Sequence, residues 1–278
     1  MRLNNGNLKN IFIYVLLICF ALTAIMPLLW MVITSIKPYN EVLSYPPTVI
    51  PSTINLDGFI NVLFKSYIPR AFINSLIVSI FTTIFALLLA IFGAYGFSRF
   101  KFFGSNFFLF TTLFGQMIPR VVLLIPLYIL LLKFKLLDTY PGLIVSYLAF
   151  TLPLCVWFLK EYFEEIPRDI DAAALIDGCS HIQILFRIII PISAPAIFTT
   201  GAFAFLTTWK EYVLALHLAS TSATRTLPIA LSIWKGQHII NWVQLMSATV
   251  IICILPIFVF IIFGKFLVSG IMSGSIKG

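Results

Sequence analysis

Acidic side chains gather in one stretch of this sequence, Glu161 to Pro195, which we call the polar segment. It holds six of the ten acidic residues of the chain, and long apolar stretches lie on both sides of it. The six are Glu161, Glu164, Glu165, Asp169, Asp171 and Asp177. Because a charged stretch must lie in water, we predict that the polar segment is either a solvated surface helix or a docking element for another protein.

Local signals divide the polar segment into two short helices. Pro167 followed by Asp169 and Asp171 is typical of a helix start, and the three alanines that follow favour helix and add little bulk. Gly178 suits the left-handed residue that follows the end of a helix. A second helix is expected to begin near Ser180 and to lead into the next apolar stretch. The prediction is a helix-turn-helix that lies on one face of a membrane.

A second group of side chains has the chemistry of sugar binding. Trp209, Glu211 and Tyr212 lie near the end of an apolar stretch, and proteins bind sugars by aromatic stacking combined with hydrogen bonds to carboxylates. The same three residues also fit an aromatic anchor at the membrane surface, with the acid paired to a lipid headgroup. The sequence leaves both interpretations open.

Arg120 is the only basic residue deep inside an apolar stretch. A charge inside a membrane is costly and marks a functional site by default. Since Arg120 follows Pro119, it either lines a water-filled cavity at a helix break or pairs near the membrane surface. Asn74 and Gln116 are weaker candidates for the same path, because polar residues in membrane spans also join helices to one another.

Catalytic and cofactor-binding patterns are absent from the sequence. Gly264-Lys265-Phe266 lacks the upstream Gly and the following Ser or Thr of a phosphate-binding loop, so the chain is not expected to hydrolyse ATP. Its four cysteines and three histidines have no metal-ligand spacing. Glu164, Glu165 and Arg168 fall one residue short of the E-E-x-x-x-R of intramembrane proteases and lie outside the apolar stretches. We therefore predict no catalytic residue, no metal and no cofactor in this chain.

The amino-acid composition of the chain indicates which kind of helices must hold these residues in place. The chain of 278 residues is 60% hydrophobic and 10% charged, whereas a soluble domain carries about 25% charge. A lipid bilayer must therefore be the solvent for most of the surface, and apolar runs longer than about 20 residues predict membrane helices. The net charge of +8 comes from scattered bases at the ends of these runs, which favours lipid headgroups over nucleic acid as the partner.

Six spans are predicted, which places both termini on the same side of the membrane. They are residues 11–36, 71–98, 106–132, 142–160, 188–218 and 242–268. Lys and Arg divide almost equally between the two sides, so the positive-inside rule does not decide the orientation.

The order of several short motifs resembles that of the maltose-type permeases of binding-protein-dependent ABC importers. The signature of that family is Glu-Ala-Ala, then Gly, then Ile-x-Leu-Pro, and here Gly178 is followed after nine residues by Ile188-Ile189-Ile190-Pro191. Ile176-Asp177-Gly178 is similar to the carbohydrate branch. Further similar pieces are Phe72-Ile73-Asn74-Ser75-Leu76, Gly93-Ala94-Tyr95-Gly96-Phe97-Ser98-Arg99-Phe100, Gln116-Met117-Ile118-Pro119, Leu136-Leu137-Asp138-Thr139, Trp209-Lys210-Glu211-Tyr212 and Ser273-Gly274-Ser275-Ile276-Lys277-Gly278.

The resemblance implies an all-α membrane protein with the type I ABC importer permease fold. It implies an N-terminal helix and outer loop at 1–70, a five-helix core at 71–268 with a coupling helix at about 167–187, and a tail at 269–278. The coupling helix, the tail and both termini are then cytoplasmic, in the inner or plasma membrane of a bacterium. The expected function is import of mono- or oligosaccharides, with this chain forming half of the translocation path.

The partners implied by the resemblance are an ATPase subunit dimer that binds ATP and Mg, a second homologous permease subunit and an external sugar-binding protein. The loop at 219–241 is expected to reach toward the sugar-binding protein. Contacts with the ATPase subunit are expected at Asp171, Ala172, Ala173, Ala174, Asp177, Gly178 and Pro191.

One position departs from the family signature. Alignment on Gly178 places the family's glutamate, which helps bind the ATPase subunit, at Ala172. Asp171 is the nearest acid, but a shift of one residue turns a helical side chain by about 100°. The ionic part of the contact is therefore expected to differ in this chain.

Two alternative functions remain after the sequence has been considered. The first is a permease of the same type for a solute that is not a sugar. The second is a secondary transporter, which typically has two related halves and paired charges within the membrane; neither feature is evident in this sequence. Dependence of transport on a separate ATPase separates the two mechanisms.

Overall fold

The structure, a computed structural model, describes the backbone of residues 5–236 and 241–275, and this part of the chain is helical with no strand. In chain order, its helices are α1 (Asn5–Ser35), α2 (Tyr39–Val42), α3 (Asp57–Phe64), α4 (Ile68–Arg99), α5 (Ser105–Met117), α6 (Arg120–Lys133), α7 (Tyr140–Glu165), α8 (Arg168–Ile176), α9 (His181–Ile184), α10 (Ile190–Ile192), α11 (Ala194–Trp209), α12 (Val213–Leu218), α13 (Leu227–Gly236) and α14 (Trp242–Ser275). A single π-helical turn, Leu185–Ile189, joins α9 to α10.

Four of the described helices, α1, α4, α7 and α14, are long and apolar enough to cross a membrane by themselves. Two bent pairs bring the number to six if each pair is one span: α5 with α6, bent by 102°, and the segment His181–Ile192 with α11, bent by 79°. The predicted all-α fold is confirmed. Two of its six spans are broken rather than continuous.

The predicted third span is broken at Pro119 into α5 and α6. Pro119 has no N–H to donate, and Ile118 before it is extended, with φ −73° and ψ 124°, because proline crowds the residue that precedes it. Pro126, in contrast, lies inside α6 without ending it. Arg120 is consequently the first residue of α6 and lies at the break.

The ends of two other predicted spans also differ. The fifth span was expected to reach residue 218, but α11 ends at Trp209 and α12 is a separate short helix. The sixth was expected to end at 268, with a tail from 269, but α14 continues to Ser275.

The described helices form two compact units. The first comprises Met1–Pro69 and Leu231–Ile254, and the second comprises Arg70–Ala230 and Leu255–Gly278. In the first unit, Gly58 of α3 lies so close to α14 that an added Cβ would meet the Ser247 hydroxyl oxygen at 2.4 Å. That hydroxyl donates to the Ser35 carbonyl at the end of α1, at 3.2 Å.

Small residues allow close helix packing in the second unit. Ala86, Ala90 and Ala94 repeat every four residues along α4 and are fully buried. They belong to the same core as Leu159 and Phe163 of α7. Small residues on one face let two helices approach closely inside a membrane. The same core extends to Ala174 of α8, so the short helix of the polar segment packs directly against the membrane helices.

Candidate functional site

The polar segment forms the predicted helix-turn-helix. α8 begins after Ile166 and Pro167, and Ile166 is extended, as proline requires of its predecessor. α8 ends in two hydrogen bonds of the Schellman type, from the Gly178 N–H to the Leu175 carbonyl (3.0 Å) and from the Cys179 N–H to the Ala174 carbonyl (2.9 Å). This turn places Gly178 at φ +85°, which glycine adopts without steric cost.

The second helix of the polar segment begins with a capping box. The Gln183 N–H donates to the Ser180 hydroxyl oxygen at 3.3 Å, and the Ser180 N–H donates to the Gln183 side-chain oxygen at 2.7 Å. These two bonds satisfy donors that a helix start leaves free. The π-helical turn and Pro191 follow, and the chain bends at Ser193 before α11. The polar segment therefore joins α7 to α11 through several irregular joints.

The two faces of α8 differ. Asp171 and Ala174 are buried, and residues three apart share a helix face. Ala172, Ala173 and Asp177 are exposed, as is Gly178 in the following turn. Ile176 at the end of the helix is also exposed, to 86%. Pro191 is exposed farther along. α8 thus presents a small, partly apolar outer face.

Asp171 points away from that outer face. Its carboxylate lies 3.0 Å from the Arg99 guanidinium at the end of α4, and the two side chains are 12% and 6% exposed. Sequence reasoning missed this partner, because it considered Arg99 only as part of the family-like piece from Gly93 to Phe100. The acid nearest the family's glutamate position therefore contacts this chain.

Glu211 caps a helix. Its two carboxylate oxygens accept from the Leu214 N–H at 3.0 Å and the Ala215 N–H at 3.1 Å, in the first turn of α12. The carboxylate is buried, and the Arg120 guanidinium is 3.9 Å away with 38% of its side chain exposed. The Arg120 guanidinium also lies over the Phe150 ring at 5.3 Å. The structure therefore brings Arg120 and Glu211 together.

The aromatic residues predicted to stack on sugar have partners inside the chain. The Trp209 ring is 3% exposed. It meets the Phe72 ring edge-on at 5.4 Å and stacks on the Phe205 ring at 5.8 Å. Tyr212 is partly exposed at the start of α12, and Gln116 is partly exposed in the last turn of α5, just before the α5–α6 break.

The cavity between Arg120 and Glu211 is small. It holds about 10 Å³, which is room for one water molecule at most. A sugar ring does not fit inside this chain at that place, so the exposed side of Arg120 is the part that remains accessible.

Asn74 belongs to a hydrogen-bond network on α4 that we call the outer network. Its amide N–H groups donate to the Ala223 carbonyl at 3.0 Å and the Arg225 carbonyl at 2.9 Å, and its side-chain oxygen accepts from the Tyr140 hydroxyl at 2.6 Å. The neighbouring Ser75 hydroxyl accepts from the Leu227 N–H at 2.7 Å. Asn74 is 2% exposed, so it holds a loop rather than facing open space.

Asp138 holds the same loop from the turn between α6 and α7. Its carboxylate accepts from the Thr221 N–H at 3.2 Å and also from the Thr224 hydroxyl. Partial burial raises the pKa of the Asp138 carboxyl, but hydrogen bonds from Thr224 and Thr221 more than offset that effect, and the pKa lies below its ordinary value. The carboxylate is therefore charged at neutral pH.

No group of three or more His, Cys, Asp or Glu side chains is placed to hold a metal ion within the described ranges, 5–236 and 241–275.

Comparisons with known proteins agree on one family. The family model described as binding-protein-dependent transport system inner membrane component matches residues 84–272. The sulfoquinovosyl glycerol transport system permease protein of Agrobacterium fabrum is 33% identical over 253 residues, which cover 91% of this chain and 88% of that protein. The trehalose/maltose transport system permease protein of Thermococcus litoralis is 33% identical, with 98% of both chains covered.

A third relative and a solved structure extend the comparison. The trehalose transport system permease protein of Mycobacterium tuberculosis is 34% identical, with 92% of this chain and 93% of that protein covered. A chain in the crystal structure of a bacterial ABC transporter involved in the import of the acidic polysaccharide alginate has a TM-score of 0.82 at 22% identity. The match covers 95% of this chain and 98% of that chain, and it shows the shared fold.

Proposed function

Since the chain belongs to the family of binding-protein-dependent transport system inner membrane components, we propose that it is a permease subunit of an ATP-driven ABC importer for sugars. The three relatives described above carry names of transport systems for a sulfosugar glycoside, trehalose or maltose. A sugar or a sugar glycoside is therefore the substrate class that best fits this chain. The coarse function, a multi-pass membrane transport subunit, follows from the family itself.

The outer face of α8 is the observation that carries the mechanism. A short helix with exposed alanines and an 86% exposed Ile176 is not stabilised by this chain alone on that side. We propose that this face docks into a cleft of a separate ATPase subunit, which binds ATP and Mg. Ala172, Ala173, Asp177 and Gly178 then contact the ATPase, and Ala174 supports the helix from below.

Transport follows from a rigid-body step. When two ATPase subunits close around ATP, the docked α8 moves with them and displaces the membrane helices packed on it. A second permease subunit supplies the other half of the path, and the sugar lies between the two. The small cavity beside Glu211 agrees with this division, because this chain alone has no room there for a sugar ring.

Not all predicted path residues have the same role in this proposal. Arg120 and Gln116 line the path at the α5–α6 break, and Tyr212 lies nearby in sequence at the start of α12. Asn74, Trp209 and Glu211 support the path from behind, because their polar groups or rings are engaged within the chain. The segment at 219–241, which was expected to be a loop but contains helix α13, meets the sugar-binding protein outside the cell, and both termini and α8 are cytoplasmic.

The test is reconstituted transport. The tagged chain is purified from its native membrane with its partners, and the complex is placed in proteoliposomes with the purified binding protein. Labelled trehalose, maltose and a glycoside of sulfoquinovose are offered in turn. Uptake is expected only with internal ATP, Mg and the binding protein. The matched control replaces ATP with a non-hydrolysable analogue.

Two outcomes would contradict the proposal. Uptake driven by a proton or sodium gradient, without the ATPase subunit, would identify a secondary transporter. ATP-driven uptake of amino acids or peptides, without uptake of any of the sugars, would support the ATP-driven mechanism but contradict sugars as the substrate class.

A further inference from the structure

The end of α4 and the start of α8 are joined by a buried ion pair. The Arg99 Nη2 atom lies 3.0 Å from the Asp171 Oδ2 atom, and solvent reaches only 6% and 12% of the two side chains. A buried charge is costly unless it is paired, and removing one partner leaves the other unpaired in a place without water. Removal of either charge is therefore expected to cost more here than it would in a surface pair.

Two further hydrogen bonds cross the same junction in opposite directions. The Arg99 Nη2 group donates to the Ile166 carbonyl at 3.2 Å, just before α8. In return, the Arg168 Nη2 group, from the first residue of α8, donates to the Ser98 carbonyl at 2.9 Å. That carbonyl is one of the last in α4, where a helix leaves acceptors free and favours positive charge. We call these three contacts the α4–α8 junction.

The backbone that connects α8 to the following span is less regular than a continuous helix. Between α8 and α11 the chain passes through Gly178 at φ +85°, the π-helical turn Leu185–Ile189 and the bend at Ser193. Each of these interrupts the regular helical hydrogen bonding that makes a helix stiff. We therefore expect a displacement of α8 to bend the chain at these joints, although Ile184, Leu185 and Ile189 pack in the same core as Ala174, and to pass to α4 across the α4–α8 junction.

We propose that Arg99 and Asp171 are positioning residues that make α4 move with the docked α8, so that the conformational signal enters the membrane through α4. This inference rests on the proposed function. The opposite end of α4 holds the outer network through Asn74 and Ser75. From Asn74 to Arg99 the helix spans roughly 37 Å at about 1.5 Å per residue. One continuous helix thus joins the cytoplasmic docking element to the outer loop.

The first test measures coupling. Asp171→Asn keeps the size of the side chain and removes its charge, and Asp169→Asn makes the same change at an exposed position of the same helix. Both are purified with the ATPase subunit, and sugar uptake and ATP hydrolysis are measured together. Asp171→Asn is expected to keep the ATPase subunit bound and to keep hydrolysis within about twofold. The sugar transported per ATP falls by about tenfold, a loss equivalent to about 1.4 kcal/mol. Asp169→Asn is expected to give the same ATPase association, ATP hydrolysis and sugar uptake as the wild-type chain.

A double substitution tests whether the two charges act as one unit. Arg99→Gln and Asp171→Asn together are expected to lose no more coupling than either alone, because both remove the same interaction. If the loss of coupling in the double variant equalled the product of the two single losses, the two residues would act independently, and the proposal would be wrong. A proportional loss of ATPase association in Asp171→Asn would also overturn the proposal, because the pair would then serve only to fold α8.

The second test needs no transport. Nitroxide labels at Leu89→Cys on α4 and Ala172→Cys on α8, both exposed positions, report the distance between the two helices in the full chain. The native cysteines are replaced first. The distance distribution is expected to be narrow in the otherwise wild-type chain and in Asp169→Asn, and broad in Asp171→Asn. A narrow distribution in all three would overturn the junction even if the function proposed above is correct.

Discussion

The Glu211 carboxylate supports a helix beside the proposed path rather than binding the transported solute. Both of its oxygens accept backbone N–H groups of α12, and it lies 3.9 Å from the Arg120 guanidinium. A capping side chain of this kind stabilises a helix by about 1 to 2 kcal/mol. The partly exposed Arg120 guanidinium, in contrast, does not cap α12.

Substitutions at these two positions are therefore expected to act on different quantities. Glu211→Ala is predicted to lower the free energy of unfolding by about 1 to 2 kcal/mol, measured as a lower thermal midpoint of the purified complex in detergent. Glu211→Gln is predicted to lose less, because the amide oxygen still accepts one N–H. Arg120→Ala is predicted to lower the midpoint less than Glu211→Ala does, because the Glu211 carboxylate keeps its two backbone N–H donors, and to reduce sugar uptake. If Glu211→Ala kept the midpoint and abolished uptake, Glu211 would be a substrate ligand.

At the scale of elements, the turn after α8 depends on one glycine. An added Cβ at Gly178 would meet no atom within 4 Å, so space is not the constraint. The constraint is φ +85°, which costs a residue with a Cβ about 1 to 2 kcal/mol. The length of α8 and the direction of the chain toward Ser180 both depend on this residue.

Gly178→Ala is predicted to reduce both sugar uptake and co-purification of the ATPase subunit, because α8 no longer ends at the same place. Gly178→Asn is expected to lose less, since asparagine tolerates the left-handed region. Gly96→Ala is the matched control: it also has open space around its Cβ position, but it lies within the last turn of α4 and its φ is not positive. Equal loss in the Gly96 and Gly178 alanine variants would show that the turn geometry is not the cause.

At the scale of the whole molecule, the orientation in the membrane decides which surfaces meet which partners. The proposed function places α8 inside the cell and the loop around Ser222 outside. Both positions lie outside the spans, so a small impermeant reagent can reach them from the matching side. The four native cysteines, Cys19, Cys155, Cys179 and Cys253, must be replaced before such an experiment.

A cysteine at Ser222 is predicted to react with an impermeant maleimide in intact cells, and a cysteine at Ala172 only in inside-out vesicles from which the ATPase subunit has been stripped. Sealed right-side-out vesicles with and without detergent provide the control for leakage. Labelling of Ala172→Cys from outside would reverse the orientation and exclude an intracellular ATPase as the partner of α8.

The membrane class, the number of spans and the two-helix form of the polar segment follow from the sequence by itself. Composition alone excludes a water-exposed surface, and the caps of α8 and α9 depend on residues within a few positions of one another, such as Gly178 and the pair Ser180 and Gln183. A helix break at Pro119 was one of the two interpretations left open for Arg120, whereas the new helix start at Val213 was not recognised, because a long apolar run conceals it.

Only the tertiary structure decided which side chains meet. Arg99 finds Asp171, and Asn74 finds the carbonyls of Ala223 and Arg225, across long stretches of chain. No local pattern encodes these pairs, because they depend on how α4 packs against α7, α8 and the outer loop. The sequence identified Asp171 and Asn74 as candidates for contacts with partners or substrate. Packing turned both toward this chain, because buried polar groups in a membrane protein are costly unless they are paired.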